Sequence, residues 1–329
     1  MTVLCLVEQD GDAVADASLR ALTLARELAA GEGLAAAVFA PAIAVTGELA
    51  AQLTRFGAAD GYAIELPGVG YAPAAWAAAL AGLAASCGAT AVLAAATDRG
   101  SEVLAHLGAV TGEPVAANCV SVRREGSGRY TLVRHRWAGS LLEDATLDAE
   151  LAVLSVAADA VPARPVPAQP VPAQPELAVH PFRPEVGEAD LRVRAVESAQ
   201  RSGGVSLASA RVVVGGGRGV GGADGFAPLE ELAELLGGAL GVSRVVTSQG
   251  WRPHRQQVGQ TGTRISPELY LACGISGAVQ HMAGCLGSQH IVAVNTDPDA
   301  PIIAHADYAV IGDLSQIIPA LVTALKSRG

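Results

Sequence analysis

The residues best suited to chemistry lie in the last third of the chain. They run Gln257-Val258-Gly259-Gln260-Thr261-Gly262, then Pro267-Glu268-Leu269-Tyr270, then Gly274-Ile275-Ser276-Gly277-Ala278-Val279-Gln280-His281. Glycine lets backbone amides approach a ligand, and a helix that begins at such a turn favours an anion at its N-terminus. Gly274-Ile275-Ser276-Gly277 therefore predicts an anion cradle, to which Ser276 adds a hydroxyl. Upstream, Gly217-x-Gly219-x-x-Gly222 follows an apolar run and has the spacing of a dinucleotide fingerprint. By itself that fingerprint is weak. The next apolar run leads from Ser243-Arg244, without the acid that a nicotinamide-type ribose site wants. Arg218 offers a cation to a phosphate; it is equally acceptable as a solvated loop arginine.

Other chemistries find no support. There is no G-x-S-x-G and no H-E-x-x-H among the seven histidines. Lys326 is the only lysine, which excludes a Walker-type phosphate loop and makes an internal Schiff base untenable. The five cysteines, Cys5, Cys87, Cys119, Cys273 and Cys285, form no C-x-x-C, so they predict buried free thiols rather than a disulfide frame or metal ribbon. A net charge of −10 argues against a nucleic-acid surface. No uncharged apolar run reaches membrane-spanning length, and the N-terminus starts as a strand without a basic leader. A soluble, cytoplasmic protein is expected.

The chain must position these residues with an aliphatic core. It is 50% hydrophobic but only 4% aromatic over 329 residues, enough for two domains built on Ala, Val, Leu and Ile. Apolar runs at Val3–Val7, Ala36–Phe39, Tyr62–Leu66 and Ala91–Ala95 alternate with helical patterns over Ser18–Leu28, Leu49–Phe56, Ala74–Ser86 and Ser101–Val110. Such alternation predicts a parallel sheet. Val120–Val122, Tyr130–Val133 and Leu151–Leu154 are expected as antiparallel additions to it. Repeated prolines between Val161 and Pro184 predict a surface linker; a docking motif for a proline-binding partner is the other reading. A second open parallel sheet is expected from Arg211–Val214, Val242–Val246, Ile291–Val294 and Tyr308–Ile311, with helices over Leu229–Leu236, from the Gly274 turn through Ala283, and over Ile317–Leu325. The fold class is α/β with two open, mostly parallel-sheet domains. The boundaries expected are 1–160 for the N-terminal domain, 161–209 for a Pro-rich linker and crossover, and 210–329 for the site-bearing domain.

From about Arg211 to the C-terminus, the order and spacing of these motifs, with Ala293-Val294-Asn295-Thr296-Asp297-Pro298-Asp299-Ala300-Pro301-Ile302 and Ala306-Asp307-Tyr308, resembles the alpha subunit of electron transfer flavoproteins. The resemblance implies two Rossmann-like domains, the C-terminal one binding FAD, and a first domain that serves as a platform for a beta subunit. It implies an electron carrier that takes electrons from acyl-CoA or other flavin dehydrogenases and passes them to a quinone oxidoreductase through an anionic flavin semiquinone. It also implies the cofactor contacts: Arg218 and Ser243 near the phosphates or adenine end, Arg244 against the flavin ring, Val258 and Gly259 lining that ring, and Gln260, Thr261 and Gly262 forming a polar edge with Thr261 towards N5. Ser276 and Gly277 belong to the pyrophosphate turn, Ala278, Val279 and Gln280 are cofactor contacts that follow it, His281 is a hydrogen-bond donor at the pyrimidine side, and Asn295, Asp313 and Leu314 match the adenosine end. Asp313 can equally cap the last helix. The family often has Lys after Gln-Thr-Gly, where this chain has Thr263-Arg264, and its connection near the prolines is usually shorter. A stand-alone FAD- or NAD-dependent oxidoreductase is the alternative, although no acid–base group beyond His281 is visible for it.

Overall fold

The computed structural model describes residues 2–126, 128–139, 141–157, 160–167, 176–195, 205–208 and 210–327. Two compact units emerge, residues 1–199 and 200–329.

The first unit begins with β1 (Thr2–Val7), a short hairpin of β2 (Gln9–Asp10) and β3 (Ala13–Val14), and α1 (Asp16–Ala29). β4 (Gly33–Val38), α2 (Gly47–Arg55), β5 (Asp60–Ile64), α3 (Pro73–Cys87), β6 (Ala89–Ala95) and α4 (Asp98–Thr111) follow. Then come β7 (Val115–Arg124), β8 (Arg129–Arg136), β9 (Leu141–Asp148), β10 (Ala152–Val156) and β11 (Ala178–Phe182). Their order in one nine-stranded sheet is β11-β5-β4-β1-β6-β10-β7-β8-β9. Local sequence explains the helix limits. Pro73 opens α3 with its missing N–H at a position that needs none, and Gly88 closes it in the left-handed region. Thr97 caps α4 by accepting from the Gly100 amide at 2.9 Å. Alternate residues of β1 feed opposite faces of the sheet: Val3, Cys5 and Val7 one core, Leu4 and Leu6 the other. Each buried leucine contributes about 1.5–3 kcal/mol.

Three parts of this unit depart from the sequence expectation. β10 is not an antiparallel addition; it lies parallel to both β6 and β7 inside the sheet. All five of its residues are buried, and a strand covered on both faces needs a continuous apolar run rather than alternation. β7 and β8 pair antiparallel as expected, but β8 also pairs antiparallel with β9, a strand not expected, whose mostly exposed residues hide it from a hydrophobicity reading. β11 falls inside the 161–209 segment expected as linker and pairs in parallel with β5. It is an edge strand, the place in a sheet that tolerates Pro181. Residues 168–175 of the proline tract lie outside the described residues.

The second unit comprises β12 (Val212–Gly216), α5 (Ala227–Leu235), β13 (Ala239–Val242), α6 (Arg244–Ser248), β14 (Leu269–Cys273), α7 (Val279–Met282), β15 (His290–Asn295), β16 (Tyr308–Ile311) and α8 (Leu314–Lys326). Its five-stranded sheet runs β13-β12-β14-β15-β16, every pair parallel. Val213, Tyr270 and Ala272 pack on one face, and Val214, Leu271 and Cys273 on the other. The expected strand Val242–Val246 is corrected: β13 stops at Val242, and Ser243, an extended N-cap, starts α6. Serine favours that cap position, so the chain turns there. β14 is a further strand beyond those expected, buried from Tyr270 to Cys273. The helix after Gly274 is a single turn, α7, rather than a longer element. Chain order reverses between β12 and β14, and in such open sheets the crevice at the C-terminal ends of the strands on either side is where ligands bind.

Candidate functional site

That crevice is held shut at its base by glycines. The Gly217 amide donates to the Cys273 carbonyl at 2.9 Å and the Gly219 amide to the Gly274 carbonyl at 3.0 Å. A Cβ on Gly217 would stand 2.2 Å from the Gly274 oxygen, and one on Gly274 would stand 2.7 Å from the Gly219 Cα. These glycines are therefore needed for one loop to lie against the other. The fingerprint's own amides at Gly217 and Gly219 are engaged across the crevice.

The free amides lie one step further on. Among the described residues, no acceptor is paired with the backbone N–H of Ile275, Ser276, Gly277 or Ala278. Gly277 has φ +82°, and its Cα faces Ile302, where a Cβ would come within 2.4 Å of the Ile302 amide nitrogen. Consecutive amides in such a turn make a concavity for an anion. The Asn295 side-chain amide fixes the turn by donating to the Ile275 carbonyl at 2.9 Å, while its Oδ1 accepts from the Asp297 amide at 3.1 Å.

Above this turn opens a cleft of about 550 Å³. It brings together Arg218, Ser243, Arg244, Val258, Gly259, Gln260, Thr261, Ser276, Ala278, Gln280, His281 and Asn295 from the sequence expectation. It adds Gly219, Val245, Gln257, Gly274, Ile275, Thr296, Asp297 and Ala300. Five expected residues do not line it. Gly262 closes the loop behind it, its amide donating to Gly259 at 3.1 Å. Gly277 turns into Ile302, and Val279 points outward at 79% exposure. Asp313 caps α8, its Oδ1 accepting from the Ser315 amide at 2.8 Å, and these hydrogen bonds hold its carboxyl below the usual range. Leu314 packs behind Gly274. The added wall residues Gly219, Gln257, Gly274, Ile275, Thr296, Asp297 and Ala300 sit inside motifs visible in the sequence; Val245 carries no such signal.

The electrostatics suit an anion. Neither Arg218 nor Arg244 has a carboxylate partner among the described residues, in a chain of net charge −10. Arg244 stands in the first turn of α6, and the Ser243 hydroxyl beside it is buried without a partner. An orphaned buried hydroxyl and unpaired amides lining one cleft are what a polar, anionic ligand would satisfy.

His281 lines the cleft and is also engaged on its inner side. It is 6% exposed, and its Nε2 lies 2.8 Å from the hydroxyl of Tyr270, which is fully buried. Burial pushes the Tyr270 phenol well above its usual range, so it stays protonated. Burial lowers the His281 pKa to about 4, against a smaller upward push from the Val258 backbone, so the imidazole is neutral. Its Nδ1 is buried without a hydrogen-bond partner. Thr261 is exposed at the rim, its hydroxyl 3.1 Å from the Gln257 amide nitrogen, and the Gln260 amide donates to the Gln280 carbonyl at 2.7 Å.

Among the described residues there is no cluster of metal-ligating side chains and no helix long and apolar enough to cross a membrane. The five thiols are free; burial pushes those of Cys5, Cys119, Cys273 and Cys285 up to about 12, out of the reactive range.

Two family models match the chain. Residues 3–181 match the electron transfer flavoprotein domain, and residues 206–286 match the electron transfer flavoprotein FAD-binding domain. An electron transfer flavoprotein subunit alpha from Mycobacterium tuberculosis is 39% identical over 327 residues, 99% of this chain and 98% of the relative. Proteins of the same description from Thermoanaerobacterium thermosaccharolyticum and Paracoccus denitrificans align over shorter stretches. They are 47% identical over 146 residues, 44% of each chain, and 54% identical over 115 residues, 35% of this chain and 37% of the relative.

Proposed function

The chain belongs to the electron transfer flavoprotein alpha-subunit family, and from that premise we propose that it is the FAD-bearing half of a carrier paired with a beta subunit. Its donors on this reading are acyl-CoA or other flavin dehydrogenases, and its acceptor is a quinone oxidoreductase. When bound, FAD supplies the electron chemistry; the protein sets its position and potential.

The chain's own residues divide the work. The unpaired amides of Ile275 to Ala278, with Ser276, hold the pyrophosphate, and Asn295 keeps that turn in shape. Arg218 adds positive charge on the phosphate side. Val258 and Gly259 give the ring an apolar bed, while Gln260, Thr261 and Arg244 face its polar edge. Arginine stays protonated and presents planar donors, so Arg244 favours negative charge gained by the ring. Gly262, Gly277 and Leu314 support the wall from behind, while Val279 is exposed and Asp313 caps α8. Against a substrate-converting enzyme, His281 is neutral and inward-facing, so the cleft has no poised histidine to move a proton.

The observation that carries this reading is the row of unpaired amides beside two unpaired arginines. The test is to purify the chain with its beta subunit. The expected product holds FAD, is reduced by a flavin dehydrogenase, is reoxidised by a quinone oxidoreductase, and converts no small substrate alone. Unaided turnover of a small substrate would instead make it a stand-alone oxidoreductase. Within the carrier, Arg244→Ala should keep the fold and lower the first reduction potential, with Arg244→Lys intermediate. An unchanged potential in Arg244→Ala with FAD fully bound removes that residue from the tuning set.

A further inference from the structure

One buried side chain beside the cleft has polar partners on both sides. Gln257 is 2% exposed. Its Oε1 lies 2.6 Å from the Thr247 hydroxyl, on α6, and its Nε2 lies 3.1 Å from the Thr261 hydroxyl, on the cleft wall. We propose that Gln257 is a positioning residue: it fixes the polarity of the Thr261 hydroxyl, so that Thr261 presents a hydrogen-bond donor, not an acceptor, to the bound cofactor. This inference rests on the FAD reading above.

An amide oxygen only accepts and an amide NH₂ only donates. The two distances assign which end faces which threonine. A separation of 2.6 Å is ordinary for O–H···O and too short for N–H···O, whereas 3.1 Å is ordinary for N–H···O. Rotating the amide by half a turn would put nitrogen at the short contact. Thr247 is a suitable donor to Oε1, its hydroxyl sharing its proton between that atom and the Arg244 carbonyl at 2.9 Å. Thr261 Oγ1 then accepts a hydrogen bond from Gln257 Nε2. Its own O–H cannot point back at that NH₂ group, and no other acceptor is paired with it among the described residues. Thr261 is exposed at the cleft, so its proton is directed to whatever occupies the cleft.

The backbone holds Gln257 in this position. Its N–H donates to His254 at 2.9 Å and its carbonyl accepts from Thr263 at 2.7 Å. A Cβ on Gly262 would lie 2.3 Å from that carbonyl, so the Gln257–Thr263 turn closes only around a glycine. The wall therefore suits a bare ring nitrogen or a carbonyl oxygen and disfavours a ring N–H at the same place.

The test uses the FAD-loaded protein with its beta subunit and the variants Gln257→Glu, Gln257→Met, Thr247→Val and Thr261→Val. Reduction potential, FAD dissociation constant and thermal midpoint are measured for each. A glutamate at 257 accepts from both threonines and turns the Thr261 proton inward. Gln257→Glu should then disfavour the one-electron-reduced cofactor by about tenfold, about 59 mV lower in first potential. Gln257→Met, which frees the hydroxyl, should give a smaller shift in the same direction, and Thr247→Val a smaller one still. In a Thr261→Val background the Gln257→Met shift should vanish, the signature of one shared interaction. Should Gln257→Glu fail to fold, Gln257→Met and Thr247→Val decide alone. The inference is overturned if Thr261→Val shifts the potential while the Gln257 and Thr247 variants do not. It is also overturned if the Gln257→Met shift survives without the Thr261 hydroxyl, or if Thr261→Val is silent with FAD bound. A wild-type protein that holds no FAD overturns the cofactor reading itself, a different failure from these.

Discussion

The two units are both open α/β sheets, and each has a crevice where chain order reverses. In the second unit it lies between β12 and β14, in the first between β1 and β6. The second unit lines that crevice with backbone: glycine loops in contact and a following turn whose amides have no partner. The first unit lines it with side chains. Glu8, just past β1, accepts a hydrogen bond from the Thr97 hydroxyl, just past β6, and burial raises its pKa. Beside them Phe39 and Trp76 stack at 3.9 Å and Arg99 sits 5.2 Å over the Tyr71 ring. A carboxylate at the N-terminus of α4 takes the place an anionic ligand would want. The same architecture thus yields a cradle of free amides in one unit and, in the other, a cleft of about 1080 Å³ walled by Phe39, Tyr71, Trp76 and Arg99, according to whether glycines or side chains end the strands.

The largest expected effect separates contact from conformation. Gly88 and Gly274 both have φ +62°, but a Cβ on Gly88 meets nothing within 4 Å while one on Gly274 meets Gly219 at 2.7 Å. Gly88→Ala should cost only the left-handed penalty, about 1 kcal/mol. Gly274→Ala should cost about 3 kcal/mol or more and abolish FAD retention, because two loops must part. Thermal melts and flavin content read both; equal losses would break the contrast.

A second expected effect concerns acid. The His281 pKa falls from 6.5 unfolded to about 4 folded. The folded state thus disfavours the proton, so this stability is present above pH 6.5 and is lost as pH falls towards 4. Between pH 7 and pH 5 the loss should be about 2 kcal/mol, and His281→Gln should remove it. Hydrogen exchange in peptides of β14 and β15 measures it, with peptides of β1 and β6 as the unit lacking this group. An identical pH slope in His281→Gln would mean the histidine is not held neutral.

The smallest effect is expected in the first unit. Thr97→Ala removes the α4 cap and the partner of Glu8, and should cost about 1 kcal/mol. FAD content should not change. A loss of flavin in this variant would mean that the first unit's crevice matters to the cofactor.

Periodicity in the sequence made most of the first unit legible: β1, β4, β5 and β6 and the helices between them follow from apolar runs and glycine stops. β9 was hidden because an exposed strand need not alternate, and β11 because proline normally argues against pairing. At the site, glycine spacing pointed to the Gly217 and Gly274 loops and the resemblance pointed to Ser243 and Arg244; all of these line one cleft except Gly217, whose loop contributes Arg218 and Gly219.

By itself the sequence determined which residues are able to meet an anion, because glycine, serine and arginine carry that capacity in their own covalent structure. Only the tertiary structure decided which of those groups are free. The amides of Gly217 and Gly219 bond across to Cys273 and Gly274, those of Ile275 to Ala278 have no acceptor among the described residues, and Asp313 caps a helix. His281 is turned onto Tyr270, eleven positions away. A hydrogen bond consumes a donor wherever its acceptor lies in the chain, and that pairing is fixed by how strands assemble in space, not by spacing along them.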